Sequence, residues 1–255
     1  MPALIGETLG QLTAWAVMAK TDFCLRPVAG VVASVEMHRA AYVGETLELE
    51  SWIDALDDAA VQYHGEVRVG SEIVFRLDGA LGPMLPMEDF IDPVVVRRQF
   101  SEIDRPGVWP YSASQPPLLP FADRTQHHAL QFDYVTKQEP GVCISAVKHV
   151  TRAAPYFPDH FPNKPVLPLT VLLECTMNLA KTFLTHAGLS DTYRIRSLRK
   201  IKMSGFVYPG DVVTCDVTVK NQDTQALTLR CTAMVAGKRV CGLEIDCARP
   251  DLGEQ

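Results

Sequence analysis

The chain has 255 residues, 47% of them hydrophobic and 21% charged, which is enough apolar material for a sizeable core and too much for a disordered type. A formal net charge of −6 argues against nucleic acid or an acidic membrane surface as the main partner, since both demand a basic face. The seven cysteines (Cys24, Cys143, Cys175, Cys215, Cys231, Cys241 and Cys247) form no Cys-x-x-Cys pair and read as buried free thiols of a reducing cytoplasm.

The chain opens on an apolar stretch, residues 4–19. It has no basic leader segment, Glu7 interrupts it, and Gly6 and Gly10 lie within it, so it reads as a core helix near 4–20 and not as a secretion signal. No other apolar run approaches the roughly 18 residues a bilayer span requires. The expectation is a cytoplasmic protein without a membrane span. Strand-like runs follow near 31–39, 46–56, 60–69 and 72–80, with alternation plain in Thr46-Leu47-Glu48-Leu49-Glu50. Residues 83–120 hold eight of the 18 prolines, a density that predicts a linker without regular sheet and with one short helix near 94–99. Two more strands are expected near 127–138 and 141–150. A proline-rich loop around His160 comes next, then a long helix near 168–187 and strands near 193–206, 211–221, 226–236 and 238–247.

The chain repeats itself. Gly44 after Tyr42 matches Gly210 after Tyr208, and Pro2 matches Pro168, both pairs 166 residues apart. Glu7 and Glu174, like Gly70 and Gly237, are 167 apart, which requires one deletion in the first helix. Each copy is a helix followed by strands. The second copy is preceded by further strands and by the His160 loop; the counterpart of His160 would fall before residue 1. The expected division is a partial N-terminal unit at 1–82, a proline-rich linker at 83–118 and a complete C-terminal unit at 119–250.

The loop itself carries the functional signal. His160-Phe161-Pro162-Asn163-Lys164-Pro165-Val166-Leu167-Pro168 is followed by Glu174, 14 residues after the histidine. Upstream stand Pro120-Phe121-Ala122-Asp123-Arg124 and Val147-Lys148-His149-Val150-Thr151. Together these resemble the 3-hydroxyacyl-[acyl-carrier-protein] dehydratases of bacterial fatty-acid synthesis, strongly over 118–248 and more faintly over 1–82. The resemblance implies an α+β hot-dog fold, a long helix wrapped by antiparallel sheet, here doubled within one chain. It also implies dehydration of 3-hydroxyacyl thioesters in fatty-acid, polyketide or related synthesis, with no metal or organic cofactor. The expected partner is an acyl-thioester substrate, carried by acyl carrier protein or coenzyme A; a homo-oligomer is left open.

Such a reaction needs a base at the α-carbon, an acid for the departing hydroxyl and a donor for the enolate-like oxygen. A histidine titrates near the working pH and suits the first task. A carboxyl group suits the second, and a backbone N–H at a helix start the third. In the resembled family each site takes its histidine from one unit and its glutamate from the other, which pairs His160 with Glu7. Glu174 then faces the place of a first-unit histidine; it remains the alternative partner if chains pair differently. Glu7 and Gln11 keep the family's Glu-x-x-x-Gln on one helical face, whereas Glu174 is followed by Asn178. Gln11, Phe161, Pro168 and Leu169 are the expected substrate contacts; Pro168 has no N–H, so the Leu169 amide is the first candidate for the oxyanion donor. Leu169 and Asp159 stand where the family has glycines, and Asp159 is a candidate to pair with His160 or to cap its turn. His127 and His128 read as strand positions and not as metal ligands. Two other functions fit the same fold: a hot-dog thioesterase, or a non-catalytic acyl-chain-binding subunit.

Overall fold

The computed structural model describes residues 2–42, 44–105, 107 and 130–249. The first half comprises α1 (Pro2–Lys20), β1 (Leu25–Pro27), β2 (Val31–Met37), β3 (Glu48–Leu56), β4 (Ala60–Val69) and β5 (Glu72–Pro86). A short helix, α2 (Pro93–Ile103), follows. The second half comprises β6 (Tyr134–Glu139), β7 (Cys143–His149), α3 (Leu169–His186), β8 (Arg194–Met203), β9 (Val212–Gln222), β10 (Ala226–Val235) and β11 (Lys238–Ala248). The architecture is α+β: described strands join in one antiparallel sheet ordered β3-β4-β5-β2-β8-β11-β10-β9-β7-β6, with β1 added to β5.

The centre of that order is the junction of the halves. β2 pairs with β8, its own counterpart in the repeat, with Val35 opposite Leu198 and Val32 opposite Ile201. Outward from there the order runs β5, β4, β3 on one side and β11, β10, β9 on the other. Antiparallel pairing of equivalent strands gives the two halves the self-complementary relation of a twofold. Among the described residues, only the second half continues outward into β7 and β6.

The repeat extends to individual hydrogen bonds. Glu45 N donates to the Tyr42 carbonyl and Tyr42 N to the Glu45 carboxylate, at 3.1 and 2.7 Å; Asp211 and Tyr208 make the same two bonds at 3.1 and 2.7 Å. Asp57 Oδ1 accepts from the amides of Ala59 and Ala60, as Asp223 Oδ1 does from Gln225 and Ala226, all at 2.8 Å. Gly44 and Gly210 both have φ near 97°, a conformation that side chains with a Cβ rarely adopt. These turns have one chemistry because each must reverse the chain at the same place in the same sheet.

The two helices are not equally buried. α3 sinks Val171, Leu172, Leu173, Cys175, Met177, Leu179, Ala180, Phe183 and Leu184 into the main core, apolar on most sides as a wrapped helix requires. α1 buries Ala3, Ile5, Leu9, Val17 and Met18, but Gly6, Gly10, Ala14 and Trp15 border open space, a cavity along its length. Six cysteines are buried and Cys24 is exposed, all as free thiols. No described helix is long and apolar enough to cross a membrane.

The stretch expected to be linker is structured where it is described. β5 continues through Pro83 to Pro86, contrary to the expectation of no regular sheet. Proline is tolerated there because β4 pairing ends at Ala60 opposite Pro83, leaving only the short β1 beyond it, so the prolines occupy edge positions. A 3-10 turn at Met87–Asp89 leads to α2, longer than expected, with the Asp92 side chain capping Val94 N at 2.8 Å and Pro93 at its first position. Strand β6 begins at Tyr134, later than expected; His127, His128 and the Pro120–Arg124 motif lie outside the described residues.

Because no heavy atom lies within 4 Å of a Cβ built on Gly210, substitution there isolates backbone strain from crowding. Gly210→Ala should cost on the order of 1–2 kcal/mol, read as a lower urea midpoint with unchanged slope. A neutral substitution would mean the turn relaxes freely.

Candidate active site

The histidine loop is held by its own backbone and by the segment before α2. His160 N donates to the Tyr156 carbonyl at 2.9 Å, Val166 N to the His160 carbonyl at 3.0 Å, and Leu167 N to the Val207 carbonyl at 2.8 Å. From the other side Asn163 N donates to the Phe90 carbonyl at 2.9 Å. Phe90, Phe161 and Val166 form a small buried cluster in which the two rings meet edge to face, their centroids 5.1 Å apart. Lys164 Nζ lies 5.1 Å from the Phe90 ring and 5.1 Å from the Phe206 ring. The expected linker is thus the clamp on the loop.

Within that frame the His160 ring is oriented. Its Nδ1 lies 2.8 Å from the Val166 carbonyl, which can only accept, so Nδ1 carries the proton and Nε2 keeps a free lone pair. His160 lines a cavity of about 650 Å³ whose wall comes from both halves, including Glu7 and Gln11 of α1 and Leu169 and Thr170 of α3. The Glu7 carboxylate is positioned twice: Gln11 Nε2 donates to Oε1 at 3.1 Å, and Thr170 Oγ1 donates to Oε2 at 2.7 Å. Thr170 stands in the first turn of the helix that the histidine loop leads into. That bond ties the first half's glutamate to the second half's loop across 163 residues of sequence.

Charge tunes this base. Burial pushes the His160 imidazole below its ordinary value, opposed by the Val166 carbonyl and the Glu7 carboxylate and reinforced by the Arg26 guanidinium. Arg26 and Tyr63 were not expected at the site. Arg26 lies on β1 with its guanidinium carbon 4.1 Å from the Phe161 ring centroid, and burial pushes its pKa down to about 10. The Tyr63 phenol is pushed up to about 12, first by burial and then by Glu7. A cation inside the apolar run Leu25-Arg26-Pro27-Val28 was a legible signal for Arg26; Thr170 and Tyr63 carry none in sequence.

The remaining expected residues divide. Gln11, Phe161, Pro168 and Leu169 line the cavity. Leu169 opens α3, whose first-turn amides have no intrahelical acceptor, and its side chain also packs against the core. Glu174 does not line the cavity: it is 3% exposed, and its Oε2 accepts from Ala3 N at 3.2 Å. Its position, one turn deeper in α3 and under the start of α1, makes it an acceptor for the end of that helix. Asn178 turns away and donates to the Leu130 carbonyl at 3.0 Å. Asp159 is exposed and is not among the charges acting on His160. Among the described residues no cluster of three His, Cys, Asp or Glu side chains is placed to hold a metal.

Comparison with known proteins agrees with the loop. The FabA-like domain family matches residues 125–244. The 3-hydroxyacyl-[acyl-carrier-protein] dehydratase FabZ of Shewanella woodyi is 30% identical over 129 residues, 49% of this chain and 85% of that protein. This chain belongs to the FabZ dehydratase family. The FabZ of Levilactobacillus brevis is similarly 29% identical over 118 residues, 46% of this chain and 80% of that protein. Beyond the FabZ-like region, an acyl-ACP thioesterase from Bacteroides thetaiotaomicron aligns over 97% of this chain and 89% of its own, with a TM-score of 0.55 at 11% identity. A MaoC-like dehydratase aligns over 96% of this chain and 82% of its own, with a TM-score of 0.56 at 12% identity. At those identities the likeness is one of fold, and the fold is the hot dog.

A depressed His160 pKa has two measurable consequences. The unfolded chain takes up a proton near pH 6.5 while folded His160 does not, so this residue's burial removes stability as pH falls below that value. NMR titration should place the His160 midpoint below 6.5, and Glu7→Gln should lower it further by removing a charge that favours the imidazolium. A rise in Glu7→Gln would show that Glu7 is not near the ring. Separately, Phe90→Ala, which empties a fully buried site in the loop's clamp, should cost about 3–5 kcal/mol. An unfolding midpoint within error of wild type would show that the clamp is dispensable.

Proposed function

We propose that this chain is a fused double hot dog with a 3-hydroxyacyl-thioester dehydratase site between its halves, His160 acting as base and Glu7 as acid. The observation that supports it most is the Thr170–Glu7 bond, since it draws the α1 carboxylate to the foot of the histidine loop. His160 Nε2 takes the proton from C2. The carboxyl form of Glu7 gives its proton to the C3 hydroxyl, which leaves as water while the C2–C3 double bond forms. The Leu169 amide, at the positive end of α3, receives the developing negative charge on the thioester oxygen. Return of the proton from the imidazolium to Glu7, through the released water, restores both groups. Thr170 and Gln11 position the carboxyl group, each occupying one lone pair and leaving room on an oxygen for the proton that the substrate hydroxyl receives. On this reading the substrate is an acyl chain on a pantetheine arm, of carrier protein or coenzyme A, and the acyl chain runs in the cavity along α1. Glu174 has a structural task at the α1 terminus.

The test is hydration of a trans-2-enoyl thioester, the reverse reaction. His160→Ala should lose about 10²–10⁴-fold in activity with the fold intact by circular dichroism. Retention of more than about a tenth of wild-type turnover removes the residue from the mechanism. Glu7→Gln should cost far more than Glu174→Gln, because glutamine at 174 keeps an acceptor oxygen for Ala3 N while glutamine at 7 has no acidic proton. Equal losses would undo the assignment. Release of free thiol from a saturated acyl thioester, with hydration absent, would favour the thioesterase reading instead.

A further inference from the structure

Arg26 is more than the loop of His160 needs. Its guanidinium borders a cavity whose wall there is largely hydrocarbon, among Met18, Val28 and Phe161. Among the described residues it has no oxygen acceptor and no ion pair. The side chain is half-buried: Nη1 reaches the sulfur of Met18 at 3.7 Å, the guanidinium carbon lies 4.1 Å from the Phe161 ring centroid, and Nε is buried without a partner. A thioether is a weak acceptor, and an aromatic face offsets only part of the hydration an arginine gives up. Glu7 acts on it through space without touching it. An unmet buried donor such as this Nε costs about 1–3 kcal/mol, more when charged. A site evolved for a plain hydrocarbon chain would have no reason to keep this cost in its wall; methionine or leucine would fill the same space.

We propose that this cavity selects acyl chains carrying an acceptor oxygen beyond the reacting carbons, strongest as a carboxylate, and that Arg26 receives that oxygen through its Nη groups. The inference rests on the acyl-thioester reading of the site and gives it a substrate class. Two further features fit. Gly10 leaves the space beside the Tyr63 hydroxyl open, 3.7 Å from where a Cβ would sit, so a second donor also borders the cavity. A charge-assisted bond from guanidinium to carboxylate is roughly twice as strong as a neutral one, and it is worth most where water is excluded. Sites built to hydrogen-bond a substrate group discriminate strongly against analogues lacking it, because the protein donor is then left unpaired.

The experiment compares trans-2-enoyl N-acetylcysteamine thioesters in matched pairs, each plain chain against one of the same length ending in a carboxylate, over a series of lengths. N-acetylcysteamine lacks most of the pantetheine arm, so a preference seen with it comes from the acyl chain. Wild type should favour the carboxylate at one or two lengths by about ten-fold or more in kcat/KM, in line with the large penalty for an unmet donor. Arg26→Met, which keeps the apolar packing on Phe161, should bring that ratio close to one; Arg26→Lys, which keeps the charge without the fork, should retain part of it. A wild-type ratio near one at every length, or a ratio that survives Arg26→Met, overturns the proposal. So does an Arg26→Met defect that appears only with full coenzyme A thioesters, which would assign the arginine to the pantetheine arm. Titration calorimetry with saturated acyl thioesters of the same two kinds reads the preference without turnover. If wild type hydrates nothing yet binds the carboxylated chain more tightly through Arg26, the dehydratase reading fails and the Arg26 assignment stands.

Discussion

Everything at this site depends on β2 pairing antiparallel with β8. Those strands are each other's counterparts in the repeat, and their ladder sets Val35 against Leu198 at the centre of the sheet. Antiparallel pairing of equivalents turns one half over relative to the other, so the start of α1 arrives beside the start of α3. The Thr170–Glu7 and Ala3–Glu174 hydrogen bonds are the two faces of that crossing, one at each glutamate. Slipping the register by one residue would reverse the faces of β2 and separate the groups that the site brings together.

The two crossings have diverged. At Glu7 the carboxylate stands in a cavity with a histidine, a guanidinium and a phenol around it; Gly10 leaves room there, and Gly6 admits the Phe75 ring, 2.9 Å from where a Cβ would sit. Glycine inside a helix costs up to about 1 kcal/mol relative to alanine, a cost set against room for a ligand. At Glu174 the same residue type is buried against one backbone amide, and the helix that carries it is packed nearly all round. Both halves thus line the cavity, while the second also carries the loop on its tightly packed helix. The clamp by Phe90 adds a third contributor, since the segment between the halves returns to cover the loop.

Electrostatics then separates the roles of the groups in the cavity. A buried imidazole held below its ordinary pKa remains a neutral base near pH 7, the state in which it accepts a proton. Glu7 and Arg26 pull that value in opposite directions, so the imidazole is balanced between a carboxylate and a cation.

Much of this was legible in the sequence, for definite reasons. The repeat was visible because turn glycines and their partners are under local constraint: Gly44 and Gly210 both take a backbone conformation that other residues rarely adopt, and this leaves matching letters at a fixed spacing. The helices and most strands followed from apolar periodicity, and the histidine loop from the residues that must surround such a base. The family is shown by the same loop and the strands about it. Local pattern did not reveal that prolines 83 and 86 sit on an edge where a strand tolerates them, since edge and centre differ only in what pairs alongside. Nor did it reveal Phe90 under Phe161 or Thr170 on Glu7, whose types are unremarkable alone, or that Arg26, conspicuous in its apolar run, lies over Phe161, because each contact joins residues far apart in sequence. Local chemistry writes itself into neighbouring residues, so the sequence determined the elements, the repeat and the histidine loop. The environment of that histidine is made by packing between distant segments, and only the tertiary structure decided it.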